Sequence, residues 1–378
     1  VTGHLLLRLT VTENGQVVFV KPIDAAVRPP EKADPVVAAM SACLSKREFP
    51  EAVVPGGYEV RTDFYLAFHC FAPAPADAPT ETIAGGRTIP AAWLEEMLVE
   101  KVRLAGKLLE PSRAKEIRGP GWLLRTDVPP EVSKTIVEAL EFAAAAFDAA
   151  FPGAPPVPEA GPGTIFVFRE EDRFHQVAAF DNIEQTRARL AGEYNPRDRL
   201  IYTWAGRESP PAAVAGLVAH EVTHHLVQQR LYGAGRRPPF WVTEGIAVLI
   251  QCLEPDAPGK IDLAAFQRGK LFKGPWRWRA PADAYLDALG SGLRKGSLPS
   301  LRTLMGRDWT LDVVLAYGTS WVLVHYLMTA EGGKHRAAFR SWMAGPDAEG
   351  DGASLALALG VPLDDLEAAV RRHLKLHL

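Results

Sequence analysis

The sequence predicts an α+β protein in two parts: a small β-β-α-β domain, then a mainly helical domain with a small mixed sheet. Residues 1–71 alternate apolar and polar side chains around an Asn-Gly pair, as hairpin strands do. Residues 72–90 lose all periodicity in a stretch rich in Ala, Pro and Thr, which reads as a linker. Beyond residue 210, apolar side chains recur at helical spacing almost to the end.

Each element follows from its own stretch. In "HLLLRLTVTENGQVVFVKPI", Leu5, Leu7, Leu9 and Val11 alternate, Asn14-Gly15 supplies a primed turn, and Val17 to Val20 resume the strand. "ADPVVAAMSACLSKREF" sets Val36, Val37, Met40, Cys43 and Leu44 at helical spacing, and "GGYEVRTDFYLAFHCF" alternates again as a strand. The second domain, 91–378, opens on a charged amphipathic helix at about 90–109. "GWLLRTD" reads as a short strand and "PPEVSKTIVEALEFAAAAFDAAF" as a long helix with proline at its start. "GTIFVFREEDRF" is a strand leading into a turn, and "GEYNPRDRLIYTW" gives two strand pieces around Asn195-Pro196, a hairpin or an edge. Pro/Gly breaks at 233–239, 255–259, 274–282 and 345–353 divide the helices that follow, and no internal repeat is visible.

Bulk composition excludes several classes of partner. A chain of 378 residues has length for two domains and a sizeable cleft. Its formal net charge is −3 and its 23% of charged residues are interspersed, which leaves no footprint for nucleic acid or an anionic membrane. No apolar run reaches the roughly 18 residues of a spanning helix. Cys43, Cys70 and Cys252 fit no CxxC spacing; they read as buried thiols and imply no disulfide. The chain starts at Val1, inside a strand pattern and without a signal-peptide pattern, so it reads as a fragment whose targeting segment is missing.

The chemistry concentrates at "GLVAHEVTHHLVQQRLYGAGRRPPFWVTEGIAVLIQ", residues 216–251. His220-Glu221-Val222-Thr223-His224 is H-E-x-x-H in a helical context, so two imidazoles four apart share a face and can converge on one ion. Glu221, one step around, is placed to take a proton from a water activated by that ion. A His six residues after His224, with Gly at the third, would complete a metzincin set; Arg230 and Val227 stand there and exclude it. The other solution is a Glu on a following helix. Glu244 comes after a break made by Gly233, Gly235, Pro238 and Pro239, with Thr243 as the expected cap that puts Glu244 in a first turn. Two helices bearing scattered polar residues are the plain alternative. The coincidence of helix, break, Trp241 and Glu-Gly opening a second apolar helix favours a metal site.

"LVAHEVTHHL" followed by "PPFWVTEGIAVLIQ" resembles the gluzincin metallopeptidases, in particular the bacterial peptidase MA-like domains with H-E-x-x-H and then W-x-x-E-G-x-A. "WLLRTDVPPEVSKTIVEALEFAAAAFDAAFP", "TIFVFREEDRF" and "YGTSWVLVHYLM" are similar to further elements of such domains. The resemblance spans about 119–378 and implies a zincin-like fold, one Zn²⁺ held by His220, His224 and Glu244, Glu221 as general base, and hydrolysis of a peptide or protein substrate. Many gluzincins carry an Asp four residues after the Glu ligand. Val248 stands at that position, so another group, such as a backbone carbonyl, has to orient the zinc-bound histidines.

Other residues divide between function and packing. His225 sits about 100° from His224 and reads as a surface or core histidine. Tyr317 is a candidate donor to the oxyanion, with core packing as the plainer reading. His325, two turns on, is a weaker one. Tyr194 and "RLIYTW" fit an edge along which an extended substrate is added. In the first domain, "TVTENGQVVFVKPI", "VVAAMSACLSKREFP" and "YEVRTDFYLAF" resemble the TonB C-terminal-like (AgmX/PglI-type) domains, which implies an envelope protein partner and a periplasmic or cell-envelope location. A catalytically inactive binding or sensing module of the bacterial cell envelope is the competing function. Retention of all three ligand residues together with Glu221 speaks against it.

Overall fold

The computed structural model describes residues 2–11, 17–28, 38–40, 42, 62–70, 79–82, 88–154, 163–179, 192–196, 199–206, 209–233, 236–253, 261–264, 281–306, 312–345, 348 and 352–378. The chain divides into two compact units, Val1–Ser112 with Glu170–Leu190, and Arg113–Arg169 with Ala191–Leu378. The architecture is α+β and mostly helical, with one mixed five-stranded sheet in the second unit.

In the first unit, β1 (Thr2–Val11) is the middle strand of an antiparallel sheet, with β2 (Val17–Arg28) and β3 (Thr62–Cys70) on either side. The register of β1 on β2 shifts between Leu6 and Leu7, opposite Asp24 and Pro22. Proline cannot donate to a ladder, so it is tolerated where it stands, on an outer strand beside an irregularity. The Asn14-Gly15 turn lies outside the described residues, as does most of the helix expected over "ADPVVAAMSACLSKREF"; residues 38–40 and 42 are helical. Within the expected linker, β4 (Thr80–Thr82) pairs antiparallel with β5 (Thr88–Pro90), and α1 (Ala91–Leu108) follows at once.

The sheet of the second unit runs β6 (Lys115–Gly119), β7 (Trp122–Thr126), β8 (Gly163–Phe168), β10 (Leu200–Trp204), β9 (Gly192–Asn195). Its three central strands are parallel and its two outer ones antiparallel. A parallel neighbour requires a long crossover. Between β7 and β8 this is α2 (Pro130–Ala150), with Pro130 at its first position and Val132, Ile136, Leu140, Ala143, Phe147 and Ala150 on its buried stripe. "GEYNPRDRLIYTW" forms the antiparallel pair β9–β10 with β9 outermost. The turn expected after β8 is instead α3 (Glu171–Ala178), which belongs to the first unit, where Arg173 donates to Leu108 O at the end of α1. Two acids in its first turn, Glu171 and Asp172, suit a helix start that the short apolar stretch concealed.

Helices make the rest. They are α4 (Pro211–Val227), α5 (Phe240–Cys252), α6 (Pro281–Lys295), α7 (Leu301–Met305), α8 (Val313–Thr329), α9 (Arg336–Ala344), α10 (Gly352–Leu359) and α11 (Leu363–His377). α4 packs on α2 and α5, and α5 packs on α8. Val313–Gly332 has the length and composition of a membrane-spanning helix, with a mean hydropathy of 1.4, which the sequence reading did not expect. Its window is 67% buried within the fold: α8 is apolar on all sides because other helices surround it.

Candidate metal centre

The site is built where α4 and α5 face each other. α4 continues past Val227 into a π-helical turn, Gln228–Tyr232, closed by Gly233 at φ 72°. Gln228 Nε2 donates to Gly233 O at 2.7 Å and Arg236 O at 2.8 Å, so one side chain organises the reversal between the helices. Arg236 in turn donates to Met343 O and Gly345 O at the end of α9. Arg230, where a metzincin histidine would be, binds Asp148 of α2 at 2.6 Å and faces away from the site chemistry.

α5 begins earlier than the expected Thr243 cap. Pro239 precedes its first residue with φ near −56°, and the N–H groups of Val242 and Thr243 already donate to Pro239 O. Glu244 is therefore the fifth helical residue, in the second turn. The Thr243 hydroxyl, released from capping, lies 2.7 Å from His224 Nδ1. Trp241, 2% exposed, stacks on Phe339 and Trp342 of α9 and fixes this end of the helix. Gly245 allows close approach: a Cβ there would stand 2.5 Å from Ser320 O on α8.

These elements bring His220, His224 and Glu244 together as a buried group that could hold a metal ion. The two Nε2 atoms are 3.1 Å apart, and Glu244 Oε2 lies 3.3 Å from that of His220 and 3.5 Å from that of His224. A tetrahedral ion about 2.0–2.1 Å from each donor needs donors about 3.4 Å apart, so the triangle has the right size. Glu244 Oε2 has no hydrogen-bond partner among the described residues, although it is buried. An acceptor of that kind is costly unless a cation lies beside it, either a bound metal ion or a protonated His220 or His224.

The groups that orient the histidines are side chains, where the sequence had suggested a backbone carbonyl. With Nε2 turned to a ligand, Nδ1–H of His220 donates to Gln251 Oε1 at 3.2 Å, and that of His224 donates to Thr243 Oγ1. Gln251 is seven residues after Glu244, two helical turns along the same face, while Val248 is fully buried in the core. Both orienting groups ride on α5, the helix that also carries Glu244.

Charge and burial oppose each other here. Burial would raise Glu244, but His224 and His220 hold its carboxyl down at about 2. Burial pushes the His224 imidazolium down, and the carboxylates of Glu244 and Glu221 outweigh it and raise its pKa. Glu221, 6% exposed, is raised by burial against the pull of both histidines. Its neighbour is the outermost strand of the sheet: a Cβ on Gly192 of β9 would stand 3.2 Å from Glu221 Cγ and 3.3 Å from Oε1.

Tyr317 on α8 stacks its ring over His220, with centroids 6.1 Å apart and planes 12° from parallel. Burial drives its phenol far above the usual range, and the charges of Glu244 and Glu221 push the same way. It is therefore a proton-bearing donor beside the ligand triangle. Tyr285 on α6 feels the same two carboxylates and is also raised, chiefly by burial. Nothing in its helical stretch distinguished it; only the packing of α6 brings it here. His225 is a core residue, 1% exposed, held at about 4 by burial and Arg199, with its ring edge-on to Tyr194 at 5.6 Å. His325 packs against His373 and is not among the donors of this triangle. Cys252 is a free, buried thiol; Cys43 lies outside the described residues.

In comparison with known protein families and with curated proteins, the chain matches none.

Proposed function

We propose that the protein is a zinc-dependent metallopeptidase of gluzincin type, with His220, His224 and Glu244 as ligands and Glu221 as general base. The observation that carries this reading is the donor triangle with a buried, basic-shifted carboxylate beside it. Two imidazoles and one carboxylate suit Zn²⁺ with a fourth position open. When bound, that ion would polarise a scissile carbonyl and lower the pKa of water to about 7.

The chain's own groups do the rest. Glu221, its pKa raised by burial, accepts the proton of the attacking water at its carboxylate and delivers it to the leaving amine. Tyr317, still protonated, donates to the developing oxyanion. β9, outermost in the sheet and touching Glu221 through Gly192, offers an edge to which an extended peptide adds as a strand. Gln251 and Thr243 fix the imidazole orientations. The N-terminal sheet is proposed as the module that engages an envelope protein.

The test is Glu221→Gln in the full chain, with zinc measured by elemental analysis and hydrolysis followed on a fluorescence-quenched unfolded protein. The expected result is unchanged zinc and a loss of rate on the order of 10²- to 10⁴-fold. Unchanged hydrolysis would remove the peptidase reading, and equal zinc in wild type and Glu244→Ala would remove the ligand set.

A further inference from the structure

A second histidine cluster lies apart from these ligands. His325 on α8 meets His373 and His377, which are four apart on α11 and so share a face. His325 Nδ1 is 2.8 Å from His373 Nε2. Ring centroids are 5.1 Å apart for His325 and His373, 5.2 Å for His325 and His377, and 4.7 Å for His373 and His377. That last separation equals the 4.7 Å between His220 and His224. One ring nitrogen from each of the three lies within 4.8 Å of the other two, with His325 buried and the others half-buried.

We propose that His325, His373 and His377 form a second metal site, a three-imidazole site for a divalent cation of the zinc class that fastens α11 to α8. A neutral imidazole has one N–H and one lone pair, so each of the three rings can turn a lone pair to a shared ion while its N–H donates elsewhere. An all-nitrogen donor set selects Zn²⁺, Ni²⁺ or Cu²⁺ over Mg²⁺ and Ca²⁺. Binding at about 2.0–2.1 Å asks for nitrogens about 3.4 Å apart. Binding would therefore require the 2.8 Å pair to open slightly and His377, half-buried in the last turn of α11, to approach. The site joins segments 48 residues apart in sequence, and α8 is the helix that carries Tyr317 and backs α5.

The site stands independently of the proposed activity, and the experiment separates the two. The full chain and two double variants, His220→Ala/Glu244→Ala and His373→Gln/His377→Gln, are equilibrated with Zn²⁺, desalted and analysed for metal. Two ions per wild-type chain and one in each variant are expected. In the His220→Ala/Glu244→Ala background, Zn²⁺ should raise the melting temperature, and adding His377→Gln should abolish that rise. Co²⁺ bound to the same background should give a visible spectrum typical of nitrogen ligands, a readout needing no further substitution. A wild type with one ion that disappears in His220→Ala/Glu244→Ala overturns this site and leaves the first intact. One ion that survives there and disappears in His373→Gln/His377→Gln supports this site and overturns the first.

Discussion

In the proposed metal site, Thr243 and Gln251 would hold the ligand histidines without binding the metal themselves. With Nε2 turned to a metal, each would accept from the Nδ1–H of one histidine, fixing the tautomer and aiming Nε2 at the shared point. Removal of either acceptor leaves a buried N–H unsatisfied and frees the ring to turn. Thr243→Val and Gln251→Leu should each weaken zinc binding by about 10- to 100-fold, read by competition with a chromogenic chelator. Tyr317→Phe separates another role: it keeps the ring over His220 and removes only the donor. Zinc content should stay at the wild-type level while kcat falls by about 10²-fold, the scale of a lost oxyanion donor; a fall in zinc would show Tyr317 to be a support for the ligands. At this scale the sequence was informative where chemistry requires a fixed spacing. His220, His224 and Glu244, which the fold brings together, were legible as candidates, as was Glu221 beside them; Gln251 was not, because a glutamine two turns along an apolar helix carries no signal until its partner is known.

The helix α5 joins several of these demands in one element. It carries the carboxylate donor, both orienting groups and, at Gly245, the point of closest approach to α8. Gly245→Ala would place a methyl 2.5 Å from Ser320 O and 2.6 Å from Val324 Cγ2, so α5 or α8 has to shift. A loss of about 1–3 kcal/mol is expected from a urea midpoint, with lowered zinc content because Glu244 moves with the helix. The helix start shows why boundaries were harder to read than existence. Both Thr243 and Pro239 are plausible starting residues, and the proline wins because its fixed φ and its carbonyl nucleate the turn before Thr243 is reached. β6 went unrecognised for a related reason. Its pattern of exposed and half-buried residues, Lys115 to Gly119, has little apolar alternation, and pairing with β7 alone makes it a strand.

Across the whole molecule, buried histidines link stability to pH. His225 is held at about 4 by burial and by Arg199, against about 6.5 in an unfolded chain. Above pH 6.5 both states keep it neutral and its contribution is fully present. As pH falls from 6.5 towards 4, the unfolded chain takes a proton that the folded chain refuses, and stability is lost, by on the order of 3 kcal/mol. With a chelator present to remove metal effects, urea midpoints should fall over this window, and His225→Leu should fall less steeply than wild type. His325 and His373 act in the same direction, so the difference between variant and wild type is what reports His225. The sequence by itself determined the α+β class, the strands and helices with strong periodicity, and the candidate residues His220, His224 and Glu244 that the fold brings together, because local spacing encodes which side chains share a face. Only the tertiary structure decided that β9 lies against Glu221, that Thr243 and Gln251 orient the histidines, that apolar α8 is a core helix, and that His325 meets His373 and His377. Those relations join residues far apart in sequence, and packing between elements leaves no periodic trace in any one of them.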